Sequence, residues 1–598
     1  MDTGWLNLRW AQALVDGLAA AGLTHLVLSP GSRSTPLALA FLRQTGIRCH
    51  VILDERSAAF FALGIAKVSG QPTAVLCTSG SAPANWLPAV IEADAGAIPL
   101  LLLSADRPAE LQGWGANQTI DQTHLFGRHV RAFHEPGAPA SNFSPHYVHR
   151  LAARAVSESR WPLPGPVHLN LAFREPLLPS GALTDWPITS ALPKLQLAPR
   201  HLHPDNGLIA STARILSGRP GVIVCGEANN GVDFAQAVTA LAQQLDCPIF
   251  AEPLSNLRFG EHERHRLCVR YEAFLGNPSF VATHPPQWVL RFGAFPVTRA
   301  LQNWLPTATT HIIVTPDTRW PDAQHRADIL LHSDPAEACR ALLTLGPQPS
   351  SKDWCAAFMQ AEATIDAIAG HYRHIEGFEG ALIPLLLEQL PVGHRLFCGN
   401  SMAIRDLDAF SASSEKPLRI FGNRGASGID GNLSTALGIA TDGPCVALLG
   451  DLTVQHDLTA LAAARDLDVI VVLFNNGGGG IFEYLPPVHL PEFERAWLTP
   501  QKINFAAAAQ AFGIAYEHAR TLNSFQSALR CALEKGGPTL IEISIDRQAS
   551  VDLHRRYWRS TIEISAINVG ARLIAPAVGA INYAPTVSLL PPLKTPCM

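Results

Sequence analysis

Short apolar runs alternate with stretches of helical periodicity along most of the chain, and polar turns follow the runs. Residues 8–20 place leucine, alanine and valine at helical spacing, which predicts an amphipathic first helix. The apolar runs that predict buried strands are 26–28, 51–53, 74–77, 98–103, 222–225, 248–250, 289–292, 312–314, 396–398, 445–449, 469–474 and 538–544. Because strands that alternate with helices form parallel sheets, the pattern predicts an α/β protein with doubly wound parallel sheets.

Two stretches without periodicity, 179–204 and 346–351, interrupt this pattern and are typical of linkers. They divide the chain into three predicted units, 1–180, 205–345 and 353–558. The length of 598 residues exceeds what one hydrophobic core supports and agrees with about three or four domains. From Thr561 onward, Ala-Pro and Val-Gly-Ala steps replace the pattern, so we expect an irregular tail over 561–598.

Composition excludes several classes of protein. The chain is 47% apolar and 16% charged with a net charge of −5, which is typical of a globular protein without a basic field for nucleic acid or anionic membranes. No apolar run approaches the ~20 residues that a membrane-spanning helix needs, and charges near the N-terminus argue against a secretory signal. The 11 cysteines are scattered without a CxxC pair, which predicts reduced thiols and a cytoplasmic location.

The most informative stretch joins two predicted strands of the third unit. The first strand ends in Gly450-Asp451, a helical stretch at 457–464 follows, and the second strand ends in Asn475-Asn476 and a run of glycines. Because parallel strands bring their carboxyl ends to one sheet edge, we expect Asp451 and Asn476 to be neighbours. A carboxylate, an amide oxygen and a glycine-rich turn suit a hard cation such as Mg²⁺ that holds a phosphate group. The alternative is a pair of βα turns without a ligand.

Glu55 begins a second unusual element. The predicted strand 51–53 ends in Asp54-Glu55, and no charged residue follows from Ser57 through Ala66, which predicts a helix buried on all sides. An acidic residue in the first turn of a helix is commonly a dipole partner and nothing more. At the mouth of a buried helix, however, a partly desolvated carboxylate is suited to hydrogen-bonding a protonatable heterocycle.

Polar turns after other predicted strands offer further candidate residues. Ser29–Pro36 combines hydroxyls, glycine and Arg33 before a helix, which suits an anion, although a capped helix start with a surface arginine is the alternative. The turns 78–85, 104–108 and 399–405 have a similar composition, and 114–122 is rich in amides. The turn 226–231 lacks the GxGxxG spacing of a nucleotide loop, and Arg299 is either a solvated helix residue or points into a cleft.

Together, Glu55 and the Asp451–Asn476 segment resemble the signature of thiamine-diphosphate decarboxylases and carboligases. The resemblance is strongest to the menaquinone-pathway family that makes 2-succinyl-5-enolpyruvyl-6-hydroxy-3-cyclohexene-1-carboxylate (SEPHCHC). It covers residues 1–558 and rests on the strings Ser29–Pro36, Ser104–Pro108, Asn117–Thr119, Asn423–Gly431 and Asn475–Gly478. It implies a pyrimidine-binding domain at 1–180, a central domain at 205–345 and a diphosphate- and metal-binding domain at 353–558.

The resemblance implies thiamine diphosphate and Mg²⁺ (or Mn²⁺) as cofactors. In this family a glutamate at the Glu55 position hydrogen-bonds the aminopyrimidine ring, and a large side chain at the Ile429 position keeps the cofactor bent; the alternative for Ile429 is core filling. Asp451, Asn476 and the Gly478 carbonyl match the metal ligands. The other positions that match cofactor-binding residues are Pro30, Thr78, Gly428, Leu452, Gly479, Ile481 and Phe482.

The family reaction decarboxylates 2-oxoglutarate and adds the resulting carbanion to isochorismate in a 1,4-addition. Both substrates are carboxylates, which arginine binds in a bidentate way. The positions that match substrate-binding residues are Ser32, Arg33, Arg107, Asn117, Gln118, Arg299, Ser401, Arg405 and Arg424, and Gln118 is also assigned a catalytic role. Arg299 stands where several relatives carry lysine. Isolated arginines are usually surface residues, but arginines at strand-end turns of three units favour a shared site.

The resemblance also implies that Glu55 and Asp451 of one site come from different subunits of a homodimer or tetramer. Leu452 departs from the second glycine of many thiamine enzymes, which favours the SEPHCHC family. The central unit resembles one that binds flavin in related enzymes, but nothing in its turns requires flavin. The alternatives are a pyruvate-specific carboligase of the acetohydroxyacid-synthase type and a catalytically silent paralogue that acts as a binding subunit.

Overall fold

The structure, a computed structural model, describes residues 2–142, 144–180, 195 and 202–567. It contains three six-stranded sheets, one inside each predicted unit, and the paired strands run parallel. The predicted fold class is therefore confirmed. The unit boundaries stay predictions, and the predicted linker 179–204 lies largely outside the described residues.

The first sheet has the strand order β2-β1-β3-β4-β6-β5. Its strands are β1 His25–Leu28, β2 Arg48–Val51, β3 Thr73–Cys77, β4 Leu100–Asp106, β5 Ala132–His134 and β6 Pro166–Ala172. Its helices are α1 Thr3–Ala20, α2 Thr35–Leu42, α3 Glu55–Ser69, α4 Leu87–Gly96 and α5 Pro145–Glu158. The predicted strand 51–53 is wrong, because Val51 and Leu53 are exposed and β2 ends where the run begins. The pattern also missed β6, whose apolar run is broken by the buried polar residues His168 and Asn170.

The second sheet has the order β12-β11-β10-β7-β8-β9, with the strand reversal between β7 and β10 at which doubly wound sheets bind ligands. Its strands are β7 Gly221–Cys225, β8 Ile249–Ala251, β9 Leu267–Cys268, β10 Trp288–Phe292, β11 Thr310–Thr315 and β12 Ile329–His332. Its helices are α6 Asn206–Leu216, α7 Gly231–Leu245, α8 Tyr271–Leu275, α9 Pro278–Thr283, α10 Arg299–Trp304 and α11 Pro335–Thr344. The predicted second linker lies between α11 and the next helix.

The third sheet has the order β14-β13-β15-β16-β18-β17, which is the order of the first sheet. Its strands are β13 Arg395–Cys398, β14 Arg419–Phe421, β15 Cys445–Gly450, β16 Val469–Asn475, β17 Ala515–Ala519 and β18 Thr539–Ser544. Its helices are α12 Lys352–Gly370, α13 Glu379–Gln389, α14 Met402–Phe410, α15 Asn432–Ile439, α16 Asp451–His456, α17 Phe505–Phe512, α18 Leu522–Lys535 and α19 Arg547–Ile567.

Two predictions about helices in the third unit need correction. The predicted helical stretch 457–464 is a 3₁₀ helix at Leu458–Ala463, and a separate helix that the pattern did not predict, α16, begins at Asp451 itself. The α-helix ends before Asp457. The buried side-chain carboxylate of Asp457 accepts hydrogen bonds from the backbone N–H and the hydroxyl of Ser434. Helix α19 runs to Ile567, beyond the predicted start of the tail at Thr561, because Thr561 is buried. Residues 568–598 lie outside the described part of the chain.

Helix α3 joins the first unit to the third. Every residue from Ser57 through Val68 is buried, as its composition predicts. Its Gly64 faces Gly438 of α15 so closely that a Cβ on Gly438 would lie 2.0 Å from the carbonyl oxygen of Phe61. The two backbones therefore touch, and the helix cannot move without α15.

Side-chain bonds join the central unit to the third. The buried guanidinium of Arg258 donates to the carboxylate of Asp408 and, at 2.8 Å, to the hydroxyl of Ser411. The described cysteines form no disulfide. None of the described helices combines the length and apolar character that crossing a bilayer requires.

Candidate active site

The carboxyl ends of β15 and β16 carry two of the predicted metal ligands. These strands pair in register along their length, so Asp451 and Asn476 follow them at one edge of the sheet, as predicted. Asp451 is buried at the start of α16. Burial raises the pKa of its carboxyl group to about 6, while hydrogen bonds from backbone N–H groups, chiefly that of Leu452, oppose the rise. A nearby cation would stabilise this desolvated carboxylate.

The side-chain oxygen of Asn476 is buried and has no hydrogen-bond partner among the described residues. An unpaired buried acceptor costs roughly 1–3 kcal/mol, so it indicates a ligand that the polypeptide does not supply. Gly478 has a φ of 143°, and a Cβ there would lie 2.3 Å from the carbonyl oxygen of Leu498, so only glycine fits. The Gly478 carbonyl accepts the N–H of Gly480 at 2.9 Å and keeps a second lone pair. One carboxylate, one amide oxygen and one carbonyl fit Mg²⁺ or Mn²⁺.

The glycine turn leads into the other predicted cofactor positions. The N–H of Gly479 donates to the Leu498 carbonyl at 2.7 Å, and Ile481 and Phe482 follow in a 3₁₀ helix, Gly480–Tyr484. The turn is held from behind by Arg547 of α19, whose Nε donates to Glu483 at 3.0 Å. This arginine was not among the predicted site residues.

Asn400 arranges the loop 423–431, the most specific string of the sequence. It follows β13, at the strand reversal beside β15 where doubly wound sheets bind ligands. Its amide donates to the carbonyls of Asn423 at 2.8 Å and Gly428 at 2.7 Å, and its oxygen accepts from Arg424 at 2.7 Å. Asn400 was not among the predicted site residues, although it adjoins Ser401. Ile429, at the far end of the loop, is half-buried.

A cavity of about 670 Å³ lies between the central and third units. It is lined by the predicted arginines Arg299, Arg405 and Arg424 and by Ile481 of the cofactor turn. Arg299 lines this cleft and is also solvent-exposed at the start of α10, so each interpretation of the sequence is met in part. Three guanidinium groups beside an apolar residue suit a small molecule with more than one carboxylate.

Acidic side chains that the sequence did not indicate share this cavity. They are Glu227, Glu252 and Glu272, which belong to turns and a short helix of the central unit without a recognisable motif. Burial, reinforced by the charge of Asp408, raises the pKa of Glu252 to about 8 and that of Glu272 to about 7. A carboxyl group that is largely protonated near neutral pH, as that of Glu252 is, leaves the positive charge of the arginines available to a ligand.

The arginines of the cavity are oriented by the polypeptide. The guanidinium of Arg405 donates to the Ser401 carbonyl at 2.6 Å, and burial together with the charge of Arg424 lowers its pKa. The Nε of Arg424 is buried and has no partner among the described residues. Ser401, with a φ of 66°, begins the turn before α14.

The remaining predicted positions form a second polar group in the first unit. Arg33 donates to the carbonyl of Phe173 at 2.9 Å and to Glu175 at 2.7 Å, and its backbone N–H donates to Thr78. The buried Arg107 donates to the hydroxyl of Ser79, which the sequence did not single out. Burial and the charge of Arg33 lower the pKa of Arg107. Exposed positions around the group are Pro30, Ser32, Asn117 and Gln118, and the Gln118 amide donates to the Ser79 carbonyl at 3.0 Å.

Glu55 begins α3, and the residues on either side of it contact the end of α16 and the 3₁₀ helix that follows. Its neighbour Arg56 donates to the carbonyl of His456 at 2.9 Å, and Asp54 accepts from Thr459 at 3.0 Å. Across the described part of the chain, no hydrogen bond or ion pair joins the group in the first unit to the group around Asp451. The two polar groups of one chain therefore have no direct bond between them.

Comparisons with known proteins identify two cofactor-binding domains in the chain. Residues 8–125 match the family "Thiamine pyrophosphate enzyme, N-terminal TPP binding domain", and residues 406–543 match the corresponding C-terminal TPP binding domain. The chain is 51% identical to a SEPHCHC synthase of Dechloromonas aromatica (strain RCB), over 91% of this chain and 99% of the relative. It is 41% identical to a SEPHCHC synthase of Geobacillus kaustophilus (strain HTA426), over 92% of this chain and 97% of the relative.

Solved structures show the same fold. A crystal structure of benzoylformate decarboxylase from Polynucleobacter necessarius superimposes with a TM-score of 0.66 at 19% identity, over 90% of this chain and 98% of that one.

Proposed function

The chain belongs to the SEPHCHC synthases, and from this premise we propose that its two polar groups are complementary halves of one thiamine-diphosphate site. The enzyme makes SEPHCHC and CO₂ from 2-oxoglutarate and isochorismate, as a step of menaquinone biosynthesis. Thiamine diphosphate, when bound, supplies the carbanion chemistry that removes CO₂ and forms the new bond. The observation that carries the assignment is the cavity in which Arg299, Arg405 and Arg424 meet the cofactor turn at Ile481.

The proposed role of each residue follows from the chemistry of its side chain or backbone. Asp451, Asn476 and the Gly478 carbonyl would hold Mg²⁺ or Mn²⁺ against the diphosphate, which satisfies the unpaired amide oxygen of Asn476. Glu55 would hold a proton at its carboxylate toward the pyrimidine ring, and Ile429 would support the bent cofactor. Pro30, Thr78, Gly428, Leu452, Gly479 and Phe482 complete the proposed cofactor contacts.

The substrates would be bound from both groups. The arginines of the cavity and Ser401 would take carboxylates on one side, because a guanidinium binds a carboxylate in a bidentate way. Ser32, Arg33, Arg107, Asn117 and Gln118 would take the other side. The two separate arginine groups match two substrates that each carry carboxylates.

We infer that a second copy of the chain brings the two halves together, as a homodimer or a tetramer built from such dimers. Large apolar side chains around Glu55 and the amide loop are exposed in one chain: Leu53 at 81%, Trp114 at 83% and Val51 at 64%. Burying these side chains against another subunit would stabilise the assembly. A cytoplasmic location stays a prediction.

The direct test supplies purified protein with thiamine diphosphate, Mg²⁺ and a 2-oxo acid. We expect rapid consumption of 2-oxoglutarate and release of CO₂ only when isochorismate is present. Glu55→Gln is expected to abolish turnover without loss of fold, whereas Glu110→Gln, at an exposed ion pair of the same unit, serves as the control. Equal turnover with pyruvate would instead favour the acetohydroxyacid-synthase type of carboligase.

A further inference from the structure

The loop 423–431 is held by a carboxylate from the first unit. Glu92 lies on α4 and is only 3% exposed. Its Oε1 accepts the backbone N–H of Gly425 at 2.8 Å, and its Oε2 accepts those of Ala426 at 2.6 Å and Ser427 at 3.3 Å. Successive N–H groups that converge on one carboxylate form an anion-binding nest, and here the anion is a side chain of the same protein.

Contact between α4 and the loop is close as well as polar. A Cβ on Gly425 would lie 2.6 Å from the carbonyl oxygen of Glu92 and 2.7 Å from the backbone nitrogen of Gly96. A second side chain of the first unit holds the start of the loop, because the buried ammonium of Lys67 donates to the Gly422 carbonyl at 2.6 Å. The loop is therefore fixed at two points by charges of opposite sign, and both charges come from outside its own unit.

The bonded segment lies between the two functional positions of the loop. Arg424 precedes it and lines the cavity, and Ile429 follows it within three residues. Backbone N–H groups that are fixed in space determine where the neighbouring side chains start. Loss of these bonds is therefore expected to displace a substrate cation and the cofactor support at once.

We propose that Glu92 is a positioning residue, which holds the loop so that Arg424 meets the substrate and Ile429 supports the cofactor. This inference rests on the proposed function for the roles of Arg424 and Ile429. It adds a role for a residue that contacts neither ligand and lies more than 330 positions away from the loop in sequence. The first unit thereby contributes to a site in two ways: with its own polar group, and by holding a loop of the third unit in place.

The test compares Glu92→Gln with Glu92→Asp and with a matched control. Glutamine keeps the shape but replaces one acceptor oxygen with an NH₂ group that faces a backbone N–H, whereas aspartate keeps the charge at a shorter reach. The control is Glu362→Gln, because Glu362 also accepts two backbone N–H groups, those of Val269 and Arg270, but does not touch the loop. Thermal unfolding of all three variants is measured first, to establish that each is folded.

Three measurements are made on each folded variant. Hydrogen–deuterium exchange without cofactor is expected to show the fastest exchange in 425–427 for Glu92→Gln, a smaller increase for Glu92→Asp and no increase for Glu362→Gln. Calorimetry with thiamine diphosphate and Mg²⁺ is expected to show weaker binding, and steady-state kinetics a KM for isochorismate that is raised roughly tenfold, with kcat reduced. Glu92→Asp is expected to recover part of each loss, and Glu362→Gln to lower the melting temperature without changing KM.

Specific outcomes overturn the inference. If Glu92→Gln keeps the wild-type KM, kcat and cofactor affinity, or if Glu362→Gln raises KM as much, Glu92 has only a general structural role. Should Glu92→Gln fail to fold, the same comparison is made with Glu92→Asp, for which wild-type values on every readout would refute the role. If wild-type protein is inactive on both substrates but Glu92→Gln still speeds exchange and weakens cofactor binding, the proposed function fails and the positioning role stands.

Discussion

Two inactive variants are expected to restore activity when their subunits are mixed. The variants are Glu55→Gln and Asp451→Asn, which damage different polar groups of the chain. In one chain Arg56, the neighbour of Glu55, donates to the His456 carbonyl at the end of α16, and Asp451 begins that helix. If each site takes Glu55 from one subunit and Asp451 from another, a mixed dimer contains one site with both native residues and one site with neither.

The size of the recovery follows from this arrangement. Random pairing of equal amounts makes about half of the dimers mixed, and each mixed dimer has one working site, so the mixture recovers about a quarter of wild-type activity. Mixed dimers isolated with two different affinity tags are expected to show about half of the wild-type activity per dimer. Consumption of 2-oxoglutarate with isochorismate is the assay, after subunit exchange or co-expression.

A mixture of Glu55→Gln and Glu55→Ala is the matched control, because both variants damage the same half and no pairing makes a native site. Isolated mixed dimers of Glu55→Gln and Asp451→Asn that are as inactive as either parent would refute the shared site. The two residues would then act within one chain.

Other predictions concern the cavity and the contacts between units. Arg424→Lys removes the guanidinium fork, which can bind Asn400 and a ligand at the same time, so we expect KM for a carboxylate substrate to rise roughly 10- to 100-fold. The control is Arg326→Lys, at an exposed arginine. An unchanged KM in Arg424→Lys would contradict this role. Glu252 ionises at about pH 8 in the folded protein and near 4.5 when unfolded, so its contribution lowers the free energy of unfolding as pH rises through this range. Urea unfolding of Glu252→Gln at pH 5, 6.5 and 8 is expected to show a smaller decline than wild type, and parallel declines would refute the assignment. Gly438→Ala places a methyl group 2.0 Å from the Phe61 carbonyl oxygen and is expected to lower the free energy of unfolding by about 2 kcal/mol or more. The control is Gly370→Ala, whose methyl group meets no atom within 4 Å. Equal stabilities of the two variants would show that α3 and α15 can separate freely.

Local patterns were sufficient to place the two proposed side-chain ligands of the metal at one sheet edge, and to predict most of the central strands. Asp451 and Asn476 could be placed together because each ends an apolar run, and parallel strands bring such ends to one sheet edge. The burial of α3 followed from its lack of charge. The pattern failed where apolar residues are not buried. Val51 and Leu53 belong to an apolar run, but both side chains are exposed at and after the end of β2.

Residues that act across units carried no local signal. Glu92 sits in a helix whose sequence resembles many others, and its partners are hundreds of residues away. Glu252 and Glu272 lie in the central unit, which contributes to the cavity without any motif. Arg299 remained ambiguous in the sequence, which does not show the cavity that this residue lines. Periodicity describes which face of an element is buried, but not which distant element covers it.

The fully buried helix α3 also sets a condition on how the chain is made. Its partner α15 is synthesised roughly 360 residues later, which at about 5–20 residues per second leaves α3 without this cover for roughly 20–70 seconds. During that interval a helix without a polar face is open to chaperones and to aggregation. Separate production of residues 1–180 would leave the apolar surface of α3 without this cover.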